Sequence, residues 1–84
     1  MDTNAQTLAD LEKAEQAFSQ AIGKHTIEQA LELLIDLNLD ANTQELIYSW
    51  IETVFERDAF AGYLRYDSIV QRIQIKKIQL QHRP

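Results

Sequence analysis

The sequence predicts an all-α protein, a small four-helix bundle whose helices pack in an antiparallel or an orthogonal arrangement. Apolar residues recur at helical spacing in four segments of the chain. Of 84 residues, 45% are apolar, two are glycine and one is proline, a composition typical of helical globular proteins. A chain of this length has room for one core. We therefore expect a single helical domain over residues 1–84, with residues 1–3 and 82–84 frayed.

The first helix is predicted over residues 4–22. Its apolar residues are separated by three, seven and four positions, which places them on one helical face: Leu8, Leu11, Phe18 and Ile22. Gly23 follows directly, and helices commonly end at a glycine because it adopts the left-handed conformation without a steric penalty.

The second helix is predicted over residues 27–38. Thr26 and Gln29 have the spacing of a capping box, in which each side chain bonds to the backbone N–H of the other residue. The apolar residues of this segment cover an arc of roughly 200°, which is wider than one neighbouring helix can bury: Ile27, Ala30, Leu31, Leu33, Leu34, Ile35 and Leu37.

The third helix is predicted over residues 43–57, with Asn42 and Glu45 at capping-box spacing. Its apolar face follows the helical period closely and contains Leu46, Ile47, Trp50, Ile51, Val54 and Phe55. The next segment, residues 59–66, fits either a short helix interrupted by Gly62 or an aromatic loop.

The fourth helix is predicted over residues 68–81, with Ser68 and Gln71 as its capping pair. A strand is the alternative for residues 69–81, because isoleucine favours strands. Helix is preferred, since a lone strand in a helical chain would have no partner. As a helix, this segment has one apolar cluster, Tyr66, Ile69, Val70, Ile73 and Leu80, while Ile75 and Ile78 lie on a different face.

Four acidic residues recur at every fourth position through the second helix and the link that follows it: Glu28, Glu32, Asp36 and Asp40. No lysine or arginine lies among them, and like charges four residues apart destabilise a helix. One interpretation is a solvated stripe whose first acid favours the helix N-terminus. The functional interpretation is a partner-binding surface for a basic protein. Calcium is disfavoured, because helix-borne acids lack the carbonyl ligands and central glycine of calcium loops.

The charge of the chain is distributed unevenly. Residues 1–56 carry a net charge of −9 and residues 57–84 carry +4, for a total of −5. The last helix holds the candidates for self-association or phosphate contact: Arg72, Ile75, Lys76, Lys77 and Ile78. Nucleic acid is not the favoured partner, because the cations are few and no aromatic residue is interleaved among them.

No catalytic, metal or cofactor site is predicted. The chain has no cysteine, which excludes thiol chemistry and thiolate metal sites. His25 and His82 are expected to be exposed, and neither has a second ligand at metal-binding spacing. The first ten residues lack the basic and apolar regions of a secretory signal, and no apolar run is longer than three residues, as in Leu33 to Ile35. We expect a cytoplasmic protein that does not enter membranes.

These observations predict a small acidic, non-catalytic interaction protein, an adaptor, antagonist or accessory regulator that binds a basic protein surface. The broad apolar arcs predict a homodimer with the last helix in its interface, where its cations could pair with the acidic face. The alternative is a small nucleic-acid-binding regulator that uses the basic C-terminal helix.

Overall fold

The computed structural model describes residues 3–21, 24–57 and 64–82, and these form a helical bundle. Its helices are α1 (Thr3–Gln20), α2 (Ile27–Asp36), α3 (Ala41–Arg57) and α4 (Tyr66–Gln81). Two short strands, β1 (Lys24–His25) and β2 (Leu64–Arg65), pair antiparallel, with Lys24 opposite Arg65. The predicted all-α class and its four helices are confirmed, and residues 69–81 are helical, not a strand.

The core lies where α1 packs against α4, and where α3 packs against both α2 and α4. Its buried residues come from all four helices and the α2–α3 link: Leu11, Ala14, Phe18, Ala30, Leu34, Leu39, Ile47, Ile51, Val54, Tyr66, Ile69, Ile73 and Leu80. The central residues of the predicted apolar face of α3 are buried: Ile47, Ile51 and Val54. The wide apolar arc of α2 is not fully covered, because its member Ile35 is 63% exposed.

The predicted capping box at the start of α2 is confirmed. Thr26 Oγ1 accepts a hydrogen bond from Gln29 N at 3.2 Å, and Gln29 Oε1 accepts one from Thr26 N at 2.9 Å. At the other end α2 stops at Asp36, two residues before the predicted boundary. The reason is Asn38, which has a φ of 53°. Asparagine tolerates this left-handed conformation better than most residues, and it turns the chain out of the helix.

Two predicted helix starts are wrong. Helix α3 begins at Ala41, because Asp40 is its cap: the Asp40 carboxylate accepts from Asn42 N at 3.1 Å and its carbonyl from Gln44 N at 2.9 Å. Asn42 therefore lies inside the helix. Helix α4 begins at Tyr66, directly after β2, so Ser68 also lies within a helix.

A nearly buried carboxylate ties α1 to the beginning of α3. Asp10 is 8% exposed, and its two oxygens accept hydrogen bonds from Gln6 Nε2 and from the backbone N–H of Asp40, each at 3.1 Å. The bond to Asp40 crosses between elements that lie 30 residues apart. It fixes the residue that caps α3, and so positions the end of the acidic series.

An aromatic cluster packs the end of α1 against the start of α4. Phe18 meets the Tyr66 ring edge to face, with 4.9 Å between centroids, and the His25 ring stacks on Tyr66 at 4.2 Å. His25 Nε2 also lies 3.0 Å from the carbonyl oxygen of Ala21. The expectation that His25 is exposed is therefore wrong. Burial raises the pKa of the Tyr66 hydroxyl.

Some predictions concern the ends and the link between α3 and α4. Thr3 lies in α1, and His82 N donates a backbone hydrogen bond to Ile78 O at 3.1 Å. The rest of the predicted frayed ends, and residues 58–63 of the ambiguous aromatic segment, lie outside the described residues. Within the described ranges, no helix combines the length and apolar character needed to cross a bilayer.

Candidate interaction surfaces

The four acidic residues are all exposed and are here called the acidic face: Glu28, Glu32, Asp36 and Asp40. The first three share one side of α2 because they are spaced one turn apart. Asp40 follows in the link, where its carboxylate also caps α3. In the part of the chain that the structure describes, no lysine or arginine forms an ion pair with any of them. Their negative charge is therefore open to solvent.

An aliphatic side chain accompanies this charge. Ile35 belongs to α2, and at 100° per residue it lies 20° from Glu28 around the helix axis and 60° from Glu32. It is the most exposed of the large hydrophobic residues that the structure describes. Half-buried Leu31 lies one turn earlier and continues the apolar strip towards the core. The acidic face therefore has an apolar edge, which a plain solvated stripe would lack.

A second surface is a shallow groove between α3 and α4, here called the basic groove. It has a volume of about 190 Å³ and is lined by Trp50, Arg72, Ile75, Lys76 and Gln79. Trp50 is half-buried and Ile75 is 56% exposed, so indole and aliphatic carbon form the apolar part. Among the described residues, neither Arg72 nor Lys76 has an acidic partner. Three of the five α4 residues predicted for self-association or phosphate contact therefore line this groove: Arg72, Ile75 and Lys76.

The other two predicted α4 residues, Lys77 and Ile78, do not line the basic groove. They border a different depression, together with Glu15, Gln74 and Gln81. Ile78 is 54% exposed. Lys77 Nζ binds Glu15 Oε1 at 2.7 Å and also binds the Glu12 carboxylate, while Gln74 Nε2 donates to Glu15 Oε2 at 3.0 Å. The charge of Lys77 is therefore neutralised within the chain, by α1 and not by the acidic face.

This cluster shifts two pKa values in the directions expected of an ion pair. The hydrogen bond from Lys77, and then that from Gln74, lowers the pKa of the Glu15 carboxyl. Hydrogen bonds to Glu12 and then Glu15 raise the pKa of the Lys77 ammonium. Both shifts mean that the charged forms are stabilised by folding.

Replacing Lys77 with glutamine is expected to lower the free energy of unfolding at pH 7 by less than about 1 kcal/mol, because the pair is close to solvent. The contribution of Glu15 is present above its ordinary, unfolded pKa and is lost as the pH falls through the lower folded pKa. The contribution of Lys77 is present below its ordinary, unfolded pKa and is lost as the pH rises through the higher folded pKa.

Urea unfolding between acidic and alkaline pH tests this prediction. The Lys77→Gln variant should have a shallower decline in stability at both extremes than the unmodified chain. Lys13→Gln is the matched control, because it removes the same charge from an exposed position of α1. Equal pH profiles for Lys77→Gln and the unmodified chain would contradict the assigned pairing.

One feature of these surfaces was not predicted. Trp50 belongs to the predicted apolar face of α3, yet it is half-buried at the basic groove. The exposure of Ile35 agrees with the sequence pattern, because roughly 200° of apolar surface on α2 cannot all face one neighbour.

Within the described ranges, no group of three or more histidine or acidic side chains is arranged to hold a metal ion. Comparisons with protein-family models, with curated proteins and with solved structures gave no significant match to this chain. The case for a function therefore depends on the two surfaces.

Proposed function

We propose that this chain is a small, non-catalytic interaction protein that covers a basic surface of another protein with its acidic face. The observation that carries the proposal is a row of exposed carboxylates with no cation paired to it among the described residues, next to the 63% exposed Ile35. A charged row supplies orientation and speed of association, and an apolar side chain supplies contact area. An adaptor, an antagonist or an accessory regulator would work in this way.

The energetics of α2 favour this proposal over a stripe with no partner. The like-charged pairs Glu28–Glu32 and Glu32–Asp36 each destabilise the helix by roughly 0.2–0.5 kcal/mol. A basic partner would relieve that repulsion on binding. The helix dipole and the capping box at Thr26 offset part of the cost in the free chain, because Glu28 lies in the first turn.

The binding test uses a lysine-rich amphipathic peptide as the probe, in isothermal titration calorimetry at low and high salt. The double variant Glu28→Lys/Glu32→Lys should weaken binding on the order of tenfold or more, equivalent to at least about 1.4 kcal/mol. Binding to the unmodified chain should also weaken with added salt, because exposed charges are screened. Ile35→Ser should weaken binding while leaving its salt dependence nearly unchanged.

The matched control is Glu45→Lys/Glu52→Lys, which makes the same change in net charge on the exposed side of α3. This variant should bind the peptide nearly as well as the unmodified chain. Equal losses in the two double variants would show that total charge, not the acidic face, drives binding. That outcome, or no binding at low salt, would remove the proposal.

Self-association through α4 is part of the proposed function. The exposed residues Ile75 and Ile78 are large and aliphatic, and both lie on this helix. A second copy would remove them from water, which is favourable by about 25 cal/mol for each Å² of apolar surface buried. The proposed state is a homodimer with α4 in its interface.

A nucleic-acid-binding regulator is the alternative, and the ion pairs of Lys77 count against it. A cation bound to two carboxylates of its own chain releases little counterion from a phosphate backbone. Retention on duplex DNA at low salt that is lost in Lys76→Ala/Lys77→Ala would favour this alternative. Absence of retention would remove it.

A further inference from the structure

The basic groove has the chemistry of a site for an acidic helix. Arg72 and Lys76 are one helical turn apart on α4, so their charges form a short row beside Trp50 and Ile75. Neither cation has an acidic partner among the described residues, whereas Lys77 next in sequence has two. A groove with an aromatic wall, an exposed isoleucine and two cations suits a helix that carries carboxylates one turn apart and an aliphatic side chain.

Helix α2 of the same chain meets that description. Glu28 and Glu32 are one turn apart, which matches the spacing of Arg72 and Lys76. Ile35 projects beside them and is 63% exposed, so it can contact the apolar part of the groove. The two surfaces are opposite in charge, and each has one exposed isoleucine at its edge. Among the described residues no ion pair joins the two surfaces, so they do not satisfy each other within the single chain.

We infer that the basic groove of one copy binds the α2 acidic face of a second copy. The consequence of this contact rests on the proposed function. The carboxylates proposed to bind a basic partner are the same ones that self-association covers. The two events exclude each other, so a basic partner dissociates the self-associated form. A groove-to-face contact joins different surfaces, and therefore gives either a closed reciprocal pair or an open chain of copies.

Charge reversal tests the contact directly. Glu28→Lys/Glu32→Lys makes both surfaces of that variant basic, and Arg72→Glu/Lys76→Glu makes both surfaces of the other variant acidic. Each variant alone should be a monomer in sedimentation equilibrium, at concentrations where the unmodified chain associates. An equimolar mixture should associate again, because every groove then meets a face of opposite charge. Circular dichroism and thermal melting establish that both variants are folded.

Arg72 and Lys76 are half-buried, so reversing them could disturb the packing of α4. The milder Arg72→Gln/Lys76→Gln variant keeps long polar side chains at both positions. It should raise the dissociation constant for self-association on the order of tenfold, equivalent to about 1.4 kcal/mol. The control is Lys13→Gln/Arg57→Gln, which removes one lysine and one arginine charge at exposed positions outside the basic groove and should leave the dissociation constant nearly unchanged.

Three results would overturn the inference: a monomeric unmodified chain at high concentration, a mixture of the two reversed variants that fails to associate, or reversed variants that each associate as well as the unmodified chain. The proposed function is tested separately by the lysine-rich peptide. The folded Arg72→Glu/Lys76→Glu variant keeps its acidic face, and should bind that peptide at least as tightly as the unmodified chain does. If neither the unmodified chain nor any variant binds the peptide, while the mixture of reversed variants still associates, the proposed function is removed and the contact between copies stands.

Discussion

Replacing Phe18 with alanine is expected to lower the free energy of unfolding by about 3–5 kcal/mol. The side chain is 1% exposed, and its ring meets the edge of Tyr66 at 4.9 Å between centroids. The substitution loses the transfer free energy of an aromatic ring, the aromatic pair contact and the packing around the resulting cavity. Domains have total stabilities of roughly 5–15 kcal/mol, and small ones lie towards the lower end. A large fraction of this variant should therefore be unfolded at room temperature.

Urea unfolding followed by far-ultraviolet circular dichroism measures this effect. Phe18→Leu should cost much less, because it keeps most of the buried volume. Gln20→Ala is the control, since this side chain is exposed on the same helix and its loss should change the stability by less than about 0.5 kcal/mol. An unchanged unfolding midpoint for Phe18→Ala would mean that the end of α1 does not pack as described.

Replacing Asp10 with alanine is the second large effect, with an expected loss of about 1–3 kcal/mol. The carboxylate is nearly buried and accepts from two donors, Gln6 Nε2 and the backbone N–H of Asp40. Alanine offers no acceptor, so the Asp40 N–H would lose its partner at the point where α3 begins. Asp10→Asn should fall between alanine and the unmodified chain, because an amide keeps one oxygen acceptor.

The same variants give a local readout besides global stability. Amide hydrogen exchange at Asp40 should be faster in Asp10→Ala than in the unmodified chain, and exchange within the centre of α2 should change less. Glu52→Ala removes an acid from an exposed position of α3 and serves as the charge control. Equal exchange rates at Asp40 in Asp10→Ala and the unmodified chain would contradict the described hydrogen bond.

Local patterns were sufficient to predict the helices, because the spacing of apolar residues repeats within a few turns. The period of Ile47, Ile51 and Val54 identified α3, and all three are buried. The capping box at Thr26 was also predictable, since both of its partners lie within four residues. Asn42 looked equally suitable as a cap. Asp40 caps α3 instead, and its own N–H is bound to Asp10 from 30 residues away, which no local pattern reports.

The same limit applies to the candidate surfaces. The carboxylates of the acidic face were identified from their four-residue spacing, and their exposure agrees with that pattern. The ion pairs of Lys77 could not be predicted, because Glu12 and Glu15 are 65 and 62 positions away in sequence. A cation's partner depends on which helices become neighbours. The sequence therefore shows which charges the chain carries, and the fold determines which of them form ion pairs within the chain.

The packing of α1 against α4 determines the order in which the helices of the chain can fold during synthesis. Hydrogen bonds between these helices join residues 59 to 65 positions apart, so the earliest of the four described helices packs mainly against the latest of them. While the nascent chain is being extended on the ribosome, α2 and α3 can form a hairpin early, because few residues separate them. Leu11, Ala14 and Phe18 must wait until residues 66–81 leave the exit tunnel. During that interval the apolar face of α1 is exposed, and a chaperone or a protease can bind it.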